Sequence, residues 1–204
     1  MMINDIISYL DELYPNAFCE LNYNHDYELL IAIVLSAQTT DKKVNKVTKV
    51  LFSKYNSLFS LSKAPISDIA SIIREIGTYN KKSEYVHLIS NKLVSDNISV
   101  IPNDREYLES LPGVGRKTAN VFLSIIYNEP TMAVDTHVAR VSRRLGLVKE
   151  NDSVLDIEKK LMKKIPSERL GKLHHQMVFF GRYKCKAIKP ECNNCRLKEM
   201  CKKK

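Results

Sequence analysis

Four of the five cysteines, Cys185, Cys192, Cys195 and Cys201, fall within seventeen residues near the end of a 204-residue chain. The pattern Cys-x6-Cys-x2-Cys-x5-Cys offers four thiolates to one sulfur-ligated centre, either a zinc ion or an iron–sulfur cluster. Zinc modules more often use two close pairs, and only Cys192 and Cys195 form one here. The wider flanking gaps suit a larger object such as a [4Fe–4S] cube. Spacing alone leaves both open. The start, Met1-Met-Ile-Asn-Asp, is acidic and short and lacks a secretory pattern, so metal ligation is expected ahead of disulfides. Cys19, alone beside Phe18, reads as a small buried hydrophobe.

A second constellation lies at Leu111-Pro-Gly-Val-Gly-Arg-Lys-Thr-Ala-Asn120. Pro112 and Gly113 stop the short helix that Asp104-Arg-Glu-Tyr-Leu-Glu-Ser begins. Gly115 starts another, apolar enough to be buried as far as Tyr127. Two helices joined by a Gly-Val-Gly turn aim backbone amides and a positive dipole end at one spot, which suits a phosphodiester. Gly113, Val114, Gly115 and Arg116 are therefore candidate DNA contacts, and Lys117 adds a second cation. An ordinary αα-hairpin with a solvated lysine would show the same residues. Asp135, in Met132-Ala-Val-Asp-Thr-His137, is well placed to cap the next helix, with His137 within a turn of it.

Other helices must carry these groups. Residues 3–14 alternate apolar and acidic positions at helical spacing. Tyr27–Ala37 is apolar nearly all round, which marks a helix in the middle of a helical domain. Gln38-Thr-Thr-Asp41 ends that helix and caps Lys42–Tyr55. Pro65 opens a helix through Ile76, closed by Gly77, and another runs to about Val94. Asn151-Asp152 is expected to cap a helix to about Ile165, whose Lys159, Lys160, Lys163 and Lys164 read as a solvated face. Residues 171–183 form the last long helix, with His174 and His175 structural. Nothing alternates with period two for long enough to make a sheet, so the chain reads as all-α.

Charge is divided unevenly. Residues 136–204 carry 19 Lys and Arg against 7 Asp and Glu, net +12, while residues 1–135 carry 13 against 16, net −3. A basic C-terminal third attracts polyanions, nucleic acid above all. Lys186 and Lys189, between the first two clustered cysteines, are candidate phosphate contacts. No run of eighteen apolar residues exists, so no membrane span is expected.

The hairpin decapeptide closely resembles the helix-hairpin-helix motif of the endonuclease III family of DNA glycosylases. The resemblance continues at Leu35-Ser-Ala-Gln-Thr-Thr-Asp41, at Gly77, Tyr79, Asn80 and Lys82, at Val-Asp-Thr-His137 and in the cysteine spacing. It spans about Leu21 to Cys201. It implies an all-α, two-lobed fold: a six-helix domain over 21–131 holding the hairpin at about 104–127, and a cluster domain from 1–20 plus 132–204, with the metal loop at 185–201. It makes Lys117 the catalytic amine, Asp135 the catalytic carboxylate, His137 a cleft residue and Gln38 the residue that fills the gap left by an extruded nucleotide. It turns the four cysteines into [4Fe–4S] ligands. The implied activity is that of a bifunctional glycosylase and apurinic/apyrimidinic lyase acting on oxidised pyrimidines in duplex DNA, as a cytoplasmic monomer. Two alternatives remain: a monofunctional mismatch glycosylase of the same fold, whose known members lack a lysine at position 117, and a non-catalytic protein that binds damaged DNA. Thr78 departs from the family, which often has a larger apolar residue there.

Overall fold

The computed structural model describes residues 2–202. Eleven α-helices follow one another among these residues: α1 (Met2–Leu13), α2 (Asp26–Leu35), α3 (Asp41–Lys54), α4 (Leu58–Ser62), α5 (Ile66–Ile72), α6 (Tyr79–Ser95), α7 (Arg105–Ser110), α8 (Arg116–Tyr127), α9 (Thr136–Arg144), α10 (Val154–Lys164) and α11 (Leu170–Phe179). A π-helical turn, Phe180–Lys184, extends α11. No strand occurs among the described residues. The chain divides into two compact units, Glu20–Tyr127 and Met1–Cys19 with Asn128–Lys204.

In the unit 20–127, α2 is the buried centre. Tyr27 through Leu35 are all shielded from solvent, as an all-round apolar helix requires. Its one buried acid, Glu28, turns back to accept the Asn24 N–H at 2.7 Å. Helices α3, α6 and α8 pack around it, and α4 and α5 lie on α6. At its start, Asp26 accepts the Ile101 N–H at 2.6 Å and so ties down the chain before α7. Asp104 caps α7 by accepting from Glu106 N and Tyr107 N.

The other unit has its own core, and α1 belongs to it although most of the chain separates them. Ile6, Tyr9 and Leu10 bury against Val138, Val141, Leu161, Leu173 and Phe180. The Tyr9 and Phe180 rings meet edge to face with centroids 6.2 Å apart. The polar seam beside them is Asp11, which accepts from Arg169 and Gln176 at 2.7 and 2.9 Å and faces Lys172 at 3.1 Å.

Several local expectations need correction. Ser153, not Asn151-Asp152, caps α10, because its hydroxyl and Asp156 form a reciprocal capping box. Asp152 instead binds Lys160 at 2.6 Å, and Lys164 donates to the Leu147 carbonyl, so this face is only partly a solvated one. Helix α5 stops at Ile72, and residues 73–76 are turn. Cys19 is half-buried rather than buried.

Asp11 supplies a test of the docking of α1. Burial alone would raise its pKa, but hydrogen bonds from Arg169, Gln176 and Lys172 outweigh that and bring it to about 2, from 3.8. A lowered carboxylate pKa stabilises the fold fully above the unfolded value and loses that stabilisation as pH falls toward the folded one. The side chain is a third exposed, so screening reduces the contribution to about 1 kcal/mol at pH 7. Asp11→Asn should cost about that much in urea titrations at pH 7, and the gap from wild type should roughly halve by pH 3.

Candidate active site and cysteine loop

The hairpin follows from its residues. Leu111 and Val114 are buried and anchor the turn, which the Val114 N–H closes on the Leu111 carbonyl at 3.0 Å. Gly113 sits at φ +78°, and a Cβ there would lie 2.5 Å from the Tyr85 ring. Both the backbone angle and the close approach therefore demand glycine. Gly115 is different, with an ordinary φ and open space where a Cβ would stand. Its carbonyl accepts the Ala119 N–H at 3.0 Å and begins α8. Arg116 and Lys117 follow in the first turn, both exposed. First-turn N–H groups lack intrahelical acceptors, so this end of α8 is suited to an anion.

Gln38 lies just beyond the C-terminus of α2, exposed and at φ +54°. That left-handed backbone is uncommon without glycine. The turn is held by Lys82 of α6, which is 3% exposed. Its Nζ donates to the Leu35 and Ala37 carbonyls at 2.9 and 2.7 Å and to Thr39 Oγ1 at 3.1 Å. Burial pushes the Lys82 pKa below the usual lysine value. Thr78, which precedes α6, is itself at φ +55°, an outlier for a β-branched residue. Lys82 and Tyr85 lie on one face of α6, so within this unit the Gln38 turn and the hairpin rest on the same helix. Sequence reading quotes Lys82 as part of the resemblance but assigns it no role. A single lysine near a helix start carries no signal that its ammonium is buried.

In the other unit, Asp135 caps α9: its Oδ1 accepts the Val138 N–H at 2.7 Å. Its Oδ2 makes no hydrogen bond among the described residues, so the cap leaves one carboxylate oxygen for other work. The loop before it is buried and fixed from behind by His174, whose Nδ1 lies 2.8 Å from the Ala133 carbonyl. His137 is half-buried, its Nδ1 3.2 Å from an Arg140 guanidinium nitrogen. Arg140 donates to the Gly181 carbonyl at 2.7 Å and the Cys185 carbonyl at 3.2 Å. One turn on, Arg144 donates to the Cys185, Lys186 and Ala187 carbonyls and reaches Cys185 Sγ at 3.3 Å. Helix α9 thus carries Asp135 at one end and grips the cysteine loop along its flank. Sequence reading missed both arginines. Their spacing of four is a visible signal that they share a face, but the backbone they grip lies over forty residues away.

The four cysteines, each half-buried, line one cavity of about 380 Å³ including its open mouth, with Leu145, Phe180 and Leu197 as apolar walls. Leu197 of this loop is 1% exposed and joins the unit's core. Successive turns step the thiols around the cavity: Cys195 N–H to the Cys192 carbonyl, Lys198 to Cys195, and Cys201 to Lys198. Burial pushes the Cys195 thiol pKa up. Among the described residues, no three His, Cys, Asp or Glu side chains converge closely enough to hold one metal ion. Four thiols that line one cavity could share a larger metal–sulfur group. Lys186 pairs with Glu191 at 2.7 Å, and Lys189, at φ +50°, is exposed. No helix among the described residues is long and apolar enough to cross a membrane.

Residues 31–167, which include this turn and the helix it feeds, match the HhH-GPD superfamily of base excision DNA repair proteins. The chain is 45% identical to endonuclease III of Bacillus subtilis, over 95% of its own length and 88% of the relative's. It is 40% identical to endonuclease III of Escherichia coli K12, over 97% and 93%. A solved structure of a trapped covalent intermediate of endonuclease III with DNA superposes with a TM-score of 0.93 at 46% identity, covering 98% of this chain and 94% of that one. The chain belongs to the endonuclease III family. That family is generally iron–sulfur containing.

The two glycines of the turn should separate on mutation. Gly113→Ala must strain the backbone and push the Tyr85 ring, at a cost of about 1–3 kcal/mol in unfolding experiments. Gly115→Ala should change stability by less than about 0.5 kcal/mol. If the start of α8 receives a phosphate, that methyl should weaken duplex binding by roughly five- to tenfold, about 1 kcal/mol or slightly more. Unchanged binding would mean that no phosphate comes close to this turn.

Proposed function

We infer that this protein is a bifunctional DNA glycosylase and apurinic/apyrimidinic lyase of base excision repair. It removes damaged bases, oxidised pyrimidines in particular, from duplex DNA and works where that DNA is held. The observation that carries the reading is Lys117, exposed in the first turn of α8 directly after the Gly113–Gly115 turn. A homologue at 46% identity has been captured covalently joined to DNA, and covalent capture requires a nucleophile of this kind. Lys117 also disfavours a monofunctional glycosylase, which needs no amine.

A stacked base is out of reach, so the nucleotide must first rotate out of the duplex. The neutral Nζ of Lys117 then attacks C1′. The glycosidic bond breaks, and the base leaves with the bonding pair and takes up a proton. Sugar-ring opening yields a protonated imine between Nζ and C1′. The imine acidifies C2′, and loss of a C2′ proton expels the 3′ phosphate by β-elimination. Water finally hydrolyses the imine and frees the amine. Asp135, with one oxygen committed to the α9 cap and the other unengaged, stabilises the cationic sugar and assists proton transfer. Gln38 fills the vacated stack. Gly113, Val114, Gly115 and Arg116 hold a phosphate beside the lesion, and His137 faces the same DNA. Lys186 and Lys189 contact phosphates, which position the protein without specifying sequence.

The reading assigns Cys185, Cys192, Cys195 and Cys201 as ligands of a [4Fe–4S] cluster, supported by the one cavity that all four line. Bound there, the cluster supplies a rigid cross-link for the loop and a one-electron couple. Arg144 holds the loop carbonyls beside it.

Three measurements test this. Borohydride should trap a covalent adduct between wild-type protein and lesion-bearing duplex, while Lys117→Gln should trap none yet still bind abasic DNA. Trapping at normal yield in that variant would remove Lys117 from the chemistry. Asp135→Asn should slow base release by roughly a hundredfold or more, with little loss of affinity. A variant that melts early but turns over normally once folded would leave Asp135 as a cap alone, worth about 0.5–2 kcal/mol. Purified protein should be yellow-brown with about four irons per chain, and Cys19→Ser should keep the colour. Colourless protein holding one zinc would overturn the cluster.

A further inference from the structure

Beyond the residues assigned above, we propose that Lys82 is a positioning residue: its buried ammonium holds the Gln38 turn, before DNA arrives, in the conformation that Gln38 needs to enter an emptied base stack. The proposal rests on the reading of Gln38 as the gap-filling residue.

The backbone of Gln38 is at φ +54°, and no glycine is present to make that angle cheap. Such a conformation persists only where its surroundings enforce it. Lys82 is the group that enforces it. An ammonium has three donors, and Lys82 spends all three on Leu35 O, Ala37 O and Thr39 Oγ1. These acceptors bracket Gln38 on both sides. The Leu35 carbonyl closes the last turn of α2, where a cation also meets the negative end of the helix. Thr39 adds to the lock, with its N–H on the Ser36 carbonyl at 3.0 Å. In contrast, the Gln38 side chain is exposed and makes no hydrogen bond among the described residues. Backbone is fixed and side chain is uncommitted, as a probe requires. A probe fixed in advance loses little conformational freedom when DNA binds. Lys82 stands in the first turn of α6, its own N–H on the Thr78 carbonyl at 3.0 Å. The Tyr85 ring that abuts Gly113 lies one turn further on. A shift at Lys82 would therefore move the Gln38 turn relative to the hairpin on which Lys117 stands.

Lys82→Met keeps the aliphatic stem and removes all three bonds. In the free protein, amide hydrogen exchange at residues 36–40 should speed up roughly tenfold. Unchanged exchange would overturn the proposal. Base-excision rates on a lesion duplex should then be measured for Gln38→Ala, Lys82→Met and the double variant. A positioning role expects strong coupling: each single variant slows excision by roughly tenfold, and the double is barely slower than either. Losses that multiply would mean Lys82 acts on stability alone, which overturns the proposal and leaves the Gln38 reading intact. If Gln38→Ala costs nothing in wild type, the gap-filling reading fails and the proposal falls with it. Borohydride trapping on a single-stranded abasic oligonucleotide, where no stack is left to fill, should fall by less than about twofold in Lys82→Met. Should that variant not fold, Thr39→Val removes one of the three acceptors and runs the same cycle, with a smaller coupling of the same sign.

Discussion

Every buried backbone amide and carbonyl needs a partner, and a helix leaves its first donors and last acceptors without one. That constraint shapes Gln38, the turn at 113–117 and Asp135, because each lies at or beside a helix end, and it reaches the cysteine loop through the turn after α11. The C-terminus of α2 is closed by the Lys82 ammonium, and the chain beyond it turns left-handed at Gln38. The N-terminus of α9 is closed by the Asp135 carboxylate. The turn after α11 is closed by Arg140 and Arg144, which take up the Gly181, Cys185, Lys186 and Ala187 carbonyls. The N-terminus of α8 is treated differently. No side-chain cap precedes it; Gly115 opens it and leaves room in front. Cations satisfy carbonyl ends from within the protein, while the amide end at Gly115 is left open to solvent.

Each unit solves its own positioning problem. In the unit 20–127, the completely buried α2 gives α3, α6 and α8 a common support. Helix α6 then carries Lys82 under one candidate loop and Tyr85 under the other. In the second unit, a core shared by α1, α9, α10 and α11 fixes the direction of α9. That one helix begins at Asp135 and ends against the cysteine loop. The Asp135 cap and the arginines that hold the loop therefore share one short helix. Leu197 adds a second anchor by entering the same core. The cysteine loop is thus held by apolar burial and by guanidinium bonds before any metal is considered.

Strain is unevenly spread. Among the described residues, five non-glycine residues take positive φ, and Gln38, Thr78 and Lys189 are among them. Lys82 is bonded beside the first two: its Nζ to the carbonyls around Gln38 and its N–H to the Thr78 carbonyl at 3.0 Å. The β-branch of Thr78 makes the left-handed angle costlier there than for most residues. Two exposed left-handed residues thus share one buried lysine as their support.

Much was legible in the amino-acid order because it depends on local chemistry. The all-apolar run around Leu30 marked a central helix. Pro112 and Gly113 marked a helix stop, Asp135 a cap, and the crowding of four cysteines a group of thiols that line one cavity. The family itself could be read from short motifs, since Gly-Val-Gly-Arg-Lys and Val-Asp-Thr-His keep their meaning without neighbours. Local signals failed where two of them competed. Ser153 took the α10 cap from Asn151 and Asp152 because its partner Asp156 sits three residues on, and Lys160 claimed Asp152. Other facts had no local signal at all. That Lys82 is buried under Leu35 and Ala37, that Arg144 reaches Cys185 Sγ, and that Tyr85 forbids a side chain at Gly113 are all contacts across 28 to 47 residues. Sequence order therefore determined which residues could do chemistry and which helices would carry them. Tertiary packing decided which charged side chains were spent holding backbone in place, because only a folded core removes the water that would otherwise satisfy them.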